Sequence, residues 1–116
     1  MPHIIIEYSN NINATLDATS LMRKLHDNVA SHKIDAYKIK SRLHELDHYI
    51  IGDEETETSM VHVTCLLLQG RPVEFGHGLS ADLFKVLSAH AKEQNLEKCA
   101  LSVEVREMNK DSYKKS

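Results

Sequence analysis

The chain has 116 residues, 41% hydrophobic and 27% charged, with two prolines and four glycines, the proportions of one globular domain and not of a disordered or fibrous chain. Its 17 acidic and 14 basic residues give a formal net charge of -3 without any basic run, which argues against nucleic acid as a partner. No apolar run approaches the ~18 residues that span a bilayer, and the opening Met1-Pro2-His3-Ile4 lacks the basic and apolar parts of a signal peptide, so a cytoplasmic protein without membrane contact is expected.

In chain order, Ile4-Ile5-Ile6 is a short, unbroken β-branched run, the pattern of an inner strand covered on both faces. After the polar turn Ser9-Asn10-Asn11, residues 17–32 space Leu21, Leu25 and Val29 four apart, with Ala18 and Met22 beside them, which predicts an amphipathic helix. Over 38–51 the period returns to two through Ile39 and Leu43, predicting a longer strand. The acidic connector Asp53-Glu54-Glu55-Thr56-Glu57 reads as a loop.

A strand is expected again over 60–68, with Val61, Val63, Cys65 and Leu67 on one face and Leu66 and Leu68 on the other. Arg71-Pro72 suits a first helical turn, because proline's missing N–H is an orphan there. Leu79, Leu83, Val86, Leu87 and His90 then hold helical spacing to about 93, with Gly76 and Gly78 each weakening the early turns by roughly 1 kcal/mol, so a late start is expected. Leu101, Val103 and Val105 alternate with polar residues as the last strand.

The order is strand, helix, strand, twice over: one α/β domain of 1–116 built from two βαβ units, approximately 2–51 and 58–108, with a flexible tail over 109–116. Right-handed crossovers place both helices on one face of a four-stranded sheet. The opposite face then keeps apolar positions that oligomerisation would cover. Cys65 and Cys99 are distant, lack Cys-x-x-Cys spacing and sit in apolar runs, so buried reduced thiols are expected and not a disulfide or a zinc site.

Pro2 is the residue with unusual chemistry, because removal of Met1 would leave a free secondary amine at the chain end. Burial or a neighbouring cation would lower the basicity of such an amine and make it a base near neutral pH. The plain alternative is a proline that merely opens a strand. Arg71 at the entrance to the second helix, and Lys40 and Arg42 on one face of the second strand, are suited to carboxylates; otherwise they are solvated surface cations. Among the eight histidines, His44 and His48 on a strand would stand about 13 Å apart at ~3.3 Å per residue. That is too far to share a zinc ion with bonds near 2 Å, so no metal is expected. His62 reads as a satisfied, half-buried histidine.

The segments Pro2-His3-Ile4-Ile5-Ile6-Glu7-Tyr8-Ser9-Asn10-Asn11, Ile39-Lys40-Ser41-Arg42-Leu43-His44, Val61-His62-Val63-Thr64 and Gly70-Arg71 resemble the 5-carboxymethyl-2-hydroxymuconate Δ-isomerase family, within the tautomerase superfamily, over nearly the whole chain. The resemblance implies a homotrimer of tautomerase-like βαβ pairs, Pro2 as general base and acid, and Arg71 with Lys40 or Arg42 holding a small carboxylated substrate. It also implies no cofactor and a role in degrading aromatic compounds. Where relatives carry Arg-Ser-Arg this chain has Lys40-Ser41-Arg42, which keeps a charge and loses a bidentate fork. Two alternatives stay open: a tautomerase of another oxo acid such as phenylpyruvate, and a non-catalytic carboxylate-binding or assembly module that retains Met1.

Overall fold

The run Ile4-Ile5-Ile6 lies in β1 (His3–Ser9), and in the computed structural model, which describes residues 1–53 and 57–116, this strand is an inner member of a four-stranded sheet. β2 (Lys40–Leu46) runs parallel to it on one side and β3 (Ser59–Leu68) antiparallel on the other. β4 (Cys99–Met108) is parallel to β3, giving the order β2-β1-β3-β4. The helices α1 (Ala18–Ala30) and α2 (Val73–Glu93) each connect the strands of a parallel pair, so the expected duplication is the architecture found.

Alternation decides which side chains meet the helices. Ile4 and Ile6 of β1 and Val61, Val63 and Cys65 of β3 are fully buried in one cluster with Leu21, Leu25 and Val29 of α1 and Leu79, Leu83 and Leu87 of α2. Both helices therefore cover the same face. α1 begins where the Asp17 carboxylate accepts the Ser20 backbone N–H at 3.1 Å, satisfying one orphan donor. α2 ends on a left-handed Asn95 (φ 57°), with Asn95 N–H donating to Lys92 O and Leu96 N–H to Ala91 O, and Leu96 folding back onto the core.

Three expectations change. α2 starts at Val73 with Pro72 as its N-cap, ahead of both glycines. Phe75 packs against the core, and a Cβ at Gly76 would stand 3.8 Å from Val105, so contact with β4 in this turn outweighs the glycine penalty. β2 is confined to Lys40–Leu46 because its partner β1 ends at Ser9, opposite Leu46; residues 36–38 form a 3-10 turn capped by Asp35. Ile5 lies on the face away from the helices, which the chain does not cover by itself. That face carries Lys40, Arg42, His44, His3, Glu7, His62, Thr64, Glu104 and Arg106 around Ile5, Met60, Leu66 and Leu68, so it is more polar than the expected apolar surface. In the acidic connector, Glu54, Glu55 and Thr56 lie outside the described residues, and Glu57 meets Lys98 at 3.0 Å.

Both cysteines are free thiols; Cys65 is buried, and burial pushes its thiol up to about 12. His90, 1% exposed, joins the two helices. Its Nε2 faces the Asp17 carbonyl at 3.1 Å and its Nδ1 faces the Lys24 ammonium at 3.1 Å. A carbonyl only accepts and an ammonium only donates, so His90 is the neutral Nε2–H tautomer. Burial, and then the Lys24 charge, hold its pKa below the ordinary imidazole range. No helix among the described residues is long and apolar enough to cross a membrane.

Two outcomes follow for stability. Leu83→Ala, which empties a fully buried position of α2, is expected to lower unfolding free energy by about 2–5 kcal/mol in urea titrations. For His90 the unfolded chain binds the proton more readily than the folded one. Its contribution is complete above the unfolded value of about 6.5 and is lost as pH falls through the lowered folded value. The urea midpoint should therefore fall between pH 7 and 5, and fall less steeply in His90→Gln; equal slopes would remove His90 as the cause.

Candidate active site

Pro2 is buried immediately ahead of β1, and its carbonyl accepts the Lys40 N–H at 3.0 Å, extending the β1–β2 ladder by one step. With Met1 attached the Pro2 nitrogen is an amide and has no basic lone pair. The free amine in this form belongs to Met1, and it is held below its ordinary basicity by burial first and then by Lys115, Arg71, Lys40 and Lys38. Cations disfavour a further positive charge among them. Among the described residues the charges that act on this amine are positive, although the chain as a whole is acidic.

The sheet register brings two of these cations together. His3 pairs with Lys40 on β2 and with Leu66 on β3, so the start of β2 and the end of β3 flank the start of β1. Gly70 then turns the chain at φ 124°, a conformation L side chains rarely adopt, and delivers Arg71. The Arg71 guanidinium lies over the Phe75 ring at 5.1 Å to its centroid. Neither Arg71 nor Lys40 forms an ion pair among the described residues, so both charges are available to an anion.

Arg42 is separated from this group. It pairs opposite Ile5, one side-chain row along the sheet, and its Nη1 donates to His3 Nδ1 at 3.1 Å. Because arginine only donates, His3 carries its proton on Nε2, which donates to the Tyr113 hydroxyl at 2.8 Å. Burial, followed by Arg42, Lys40 and the amino terminus, lowers the His3 pKa. Sequence reasoning grouped Lys40 with Arg42 by strand parity. The structure keeps Lys40 at the amino end and engages Arg42 with a neighbour.

Lys38, Lys115, His3 and Tyr113 went unrecognised as members of this cluster. Lys38 stands in a 3-10 turn read as strand, and Lys115 and Tyr113 come from the far end of the chain. The only sequence signal was the lysine-rich composition of that end. His62, as expected, is half-buried and satisfied: its Nδ1 meets the Ser102 hydroxyl at 2.6 Å on the adjacent strand.

Two hollows border the cluster. One, of about 360 Å³, runs from Arg71 and Phe75 along the start of α2 to Val103 and Glu107 on β4. The other, of about 490 Å³, lies between α1 and β2 and is lined by Met22, Arg23, His26, Ile39, Lys40 and Ser41. Neither is lined by Pro2, so a single chain leaves the amino end unenclosed by these hollows. A buried terminus ringed by unpaired cations is suited to binding a polyanionic small molecule and to holding an amine neutral beside it.

A family model described as 5-carboxymethyl-2-hydroxymuconate isomerase matches residues 2–116. The 5-carboxymethyl-2-hydroxymuconate Delta-isomerase of Escherichia coli is 31% identical over 111 residues, 94% of this chain and 88% of that protein. The crystal structure of a 5-carboxymethyl-2-hydroxymuconate isomerase from Deinococcus radiodurans R1 superposes with a TM-score of 0.90 at 26% identity, covering 99% of this chain and 88% of that one. A fused 4-OT wild-type symmetric trimer shares the fold, with a TM-score of 0.75 at 12% identity over 98% of this chain and 93% of that one. This chain therefore belongs to the 5-carboxymethyl-2-hydroxymuconate isomerase family.

Proposed function

We propose that this isomerase, once Met1 is removed, converts 5-carboxymethyl-2-hydroxymuconate to its conjugated keto isomer through the amine of Pro2, as a cytoplasmic step in aromatic-compound degradation. The observation that carries the reading is the buried amino end beside Arg71 and Lys40, whose charges have no acidic partner among the described residues. Loss of Met1 moves the free amine inward by one residue, about 3.8 Å between Cα atoms, into the buried position of Pro2. Desolvation and the surrounding cations then favour the neutral amine.

The neutral amine takes the proton of the substrate's 2-hydroxyl, breaking one O–H bond and leaving a dienolate. The resulting ammonium gives that proton to a distant conjugated carbon, forming one C–H bond and regenerating the amine. Charge develops on the oxygen between the two steps. Arg71 and Lys40 are placed to neutralise the carboxylates and this oxygen, worth several kcal/mol once water is excluded. Exclusion of water needs more walls than one chain provides, and a second or third copy packed on the polar-apolar sheet face around Ile5 and Leu66 supplies them. A homotrimer is the assembly this reading requires, and sedimentation of the processed protein tests it.

The kinetic test is ultraviolet-monitored ketonisation by Met1-processed protein. Pro2→Ala is expected to lower kcat by roughly 10²–10⁴, the usual worth of a general acid–base group. Arg71→Ala and Lys40→Ala should raise KM with the urea midpoint unchanged, and Arg42→Ala, one row away, should raise it less. Full turnover by Pro2→Ala would refute the proline mechanism. An inactive, correctly processed wild type would instead reject this substrate in favour of another oxo acid or of a binding role.

A further inference from the structure

The last eight residues do not leave the domain. Gln69 N–H donates to the Met108 carbonyl at 3.0 Å, and the Gln69 side-chain oxygen accepts the Lys110 N–H at 2.7 Å, which clamps the chain to the same loop that presents Arg71. A turn follows, with the Asp111 N–H on the Asn109 side chain at 2.8 Å and the Ser112 N–H on the Asn109 carbonyl at 3.2 Å. The chain thus doubles back and sets the Tyr113 hydroxyl on His3 Nε2 at 2.8 Å, ring edge to ring face with centroids 5.8 Å apart. His3 is the residue next to Pro2, so contact is made across 110 positions of sequence at the mouth of the site.

We propose that this carboxyl-terminal segment is a working part of the Pro2 site: Tyr113, anchored on His3, is a positioning residue that brings the Lys115 ammonium to bear on the Pro2 amine. The inference rests on the proline reading and deepens it. The groups facing the amino end are Lys115 from the tail, Arg71 from the loop after β3, Lys40 from β2, Lys38 from the 3-10 turn and His3 from β1. Lys115 is the foremost of the charges, ahead of Arg71. Beyond the Asn109 turn, the hydrogen bond and ring contact of Tyr113 with His3 tie the segment that carries Lys115 to β1. Loosening the tail would weaken a charge that Lys40 on β2 and Arg71 on its own loop do not supply.

The test reads the amine without substrate, by ¹⁵N NMR titration of Pro2 in Met1-processed protein. Lys115→Gln should raise the amine pKa by roughly a few tenths of a pH unit, the scale of one solvent-screened charge. Lys115→Arg should restore it, and ~1 M salt should shrink the difference. Tyr113→Phe and a chain ending at Ser112 should move the amine in the same direction as Lys115→Gln, with unchanged urea midpoints. In turnover, the acid limb of the kcat/KM profile should follow the amine upward in pH. An amine unmoved in Lys115→Gln overturns the proposal, and one moved there but unmoved in Tyr113→Phe overturns the anchor. Because these titrations need no turnover, a shifted amine together with full activity of Pro2→Ala would reject the proline mechanism while leaving the tail's electrostatic role standing.

Discussion

The arrangement depends on β1 being paired on both edges from its first residue. His3 is already opposite Lys40 on one side and Leu66 on the other, so the amino end is held in the sheet instead of fraying from it. The register is fixed by burial: Ile4 and Ile6 are fully buried under the helices, each worth about 1.5–3 kcal/mol relative to exposure. Slipping β2 by one residue would turn Lys40 toward α1 and Ser41 outward, because a strand's side chains alternate. The hydrogen bond between Ser41 and His26 of α1, 2.7 Å, shows which parity the helix side accepts. Apolar packing on one face thereby dictates where charge stands on the other.

Gathering Lys38, Lys40, Arg71 and Lys115 around one amine runs against the Coulomb energy of the empty site. Two like charges 4 Å apart in water repel by about 1 kcal/mol, so the cluster is tolerable only because it is solvent-facing. The same solvation makes it a weak field until a ligand displaces the water. A dianionic ligand would reverse the sign of the balance, relieving the repulsion while its own carboxylates are neutralised. Exposed pairs elsewhere, such as Arg23 with Asp27 and Arg106 with Glu104, show the ordinary fate of surface cations in this chain. Arg71 and Lys40 escape that fate, forming no ion pair among the described residues.

Legibility in the sequence followed the range of the interactions. Period and β-branching identified both helices and all four strands because those signals are local, and the repeated order identified the duplication. The start of α2 was misjudged because the penalty of Gly76 and Gly78 is local while the compensation, contact of that turn with the core and Val105, is not. β2 was overextended because apolar residues such as Ile50 and Ile51 continue past Leu46, where pairing ends opposite Ser9. At the site, the sequence marked Pro2, Arg71, Lys40 and Arg42 as candidates, and the structure brings Arg71 and Lys40 to the amino end. The pairing of Arg42 with His3, and the return of Tyr113 to the same residue, depend on register and on a chain reversal that no spacing in the sequence records.

Lys40 and Arg71 differ in how they can orient an anion. Three of the four cations around the amine are lysines, each a mobile point charge without the planar fork that fixes a carboxylate's plane. Arg71 alone offers that fork, and its stacking on Phe75 at 5.1 Å, behind a glycine turn, restricts the directions it can take. On the proposed function, angular selection among substrates would concentrate at the Arg71 end and the lysine end would select on charge. Such a site would hold one carboxylate in a defined pose and accept variation in the position of the other. On the proline reading, the amine held at the head of β1 and the Arg71 guanidinium stacked on Phe75 would form the ordered end, and the lysines, as mobile point charges, would adjust to the length that separates two carboxylates.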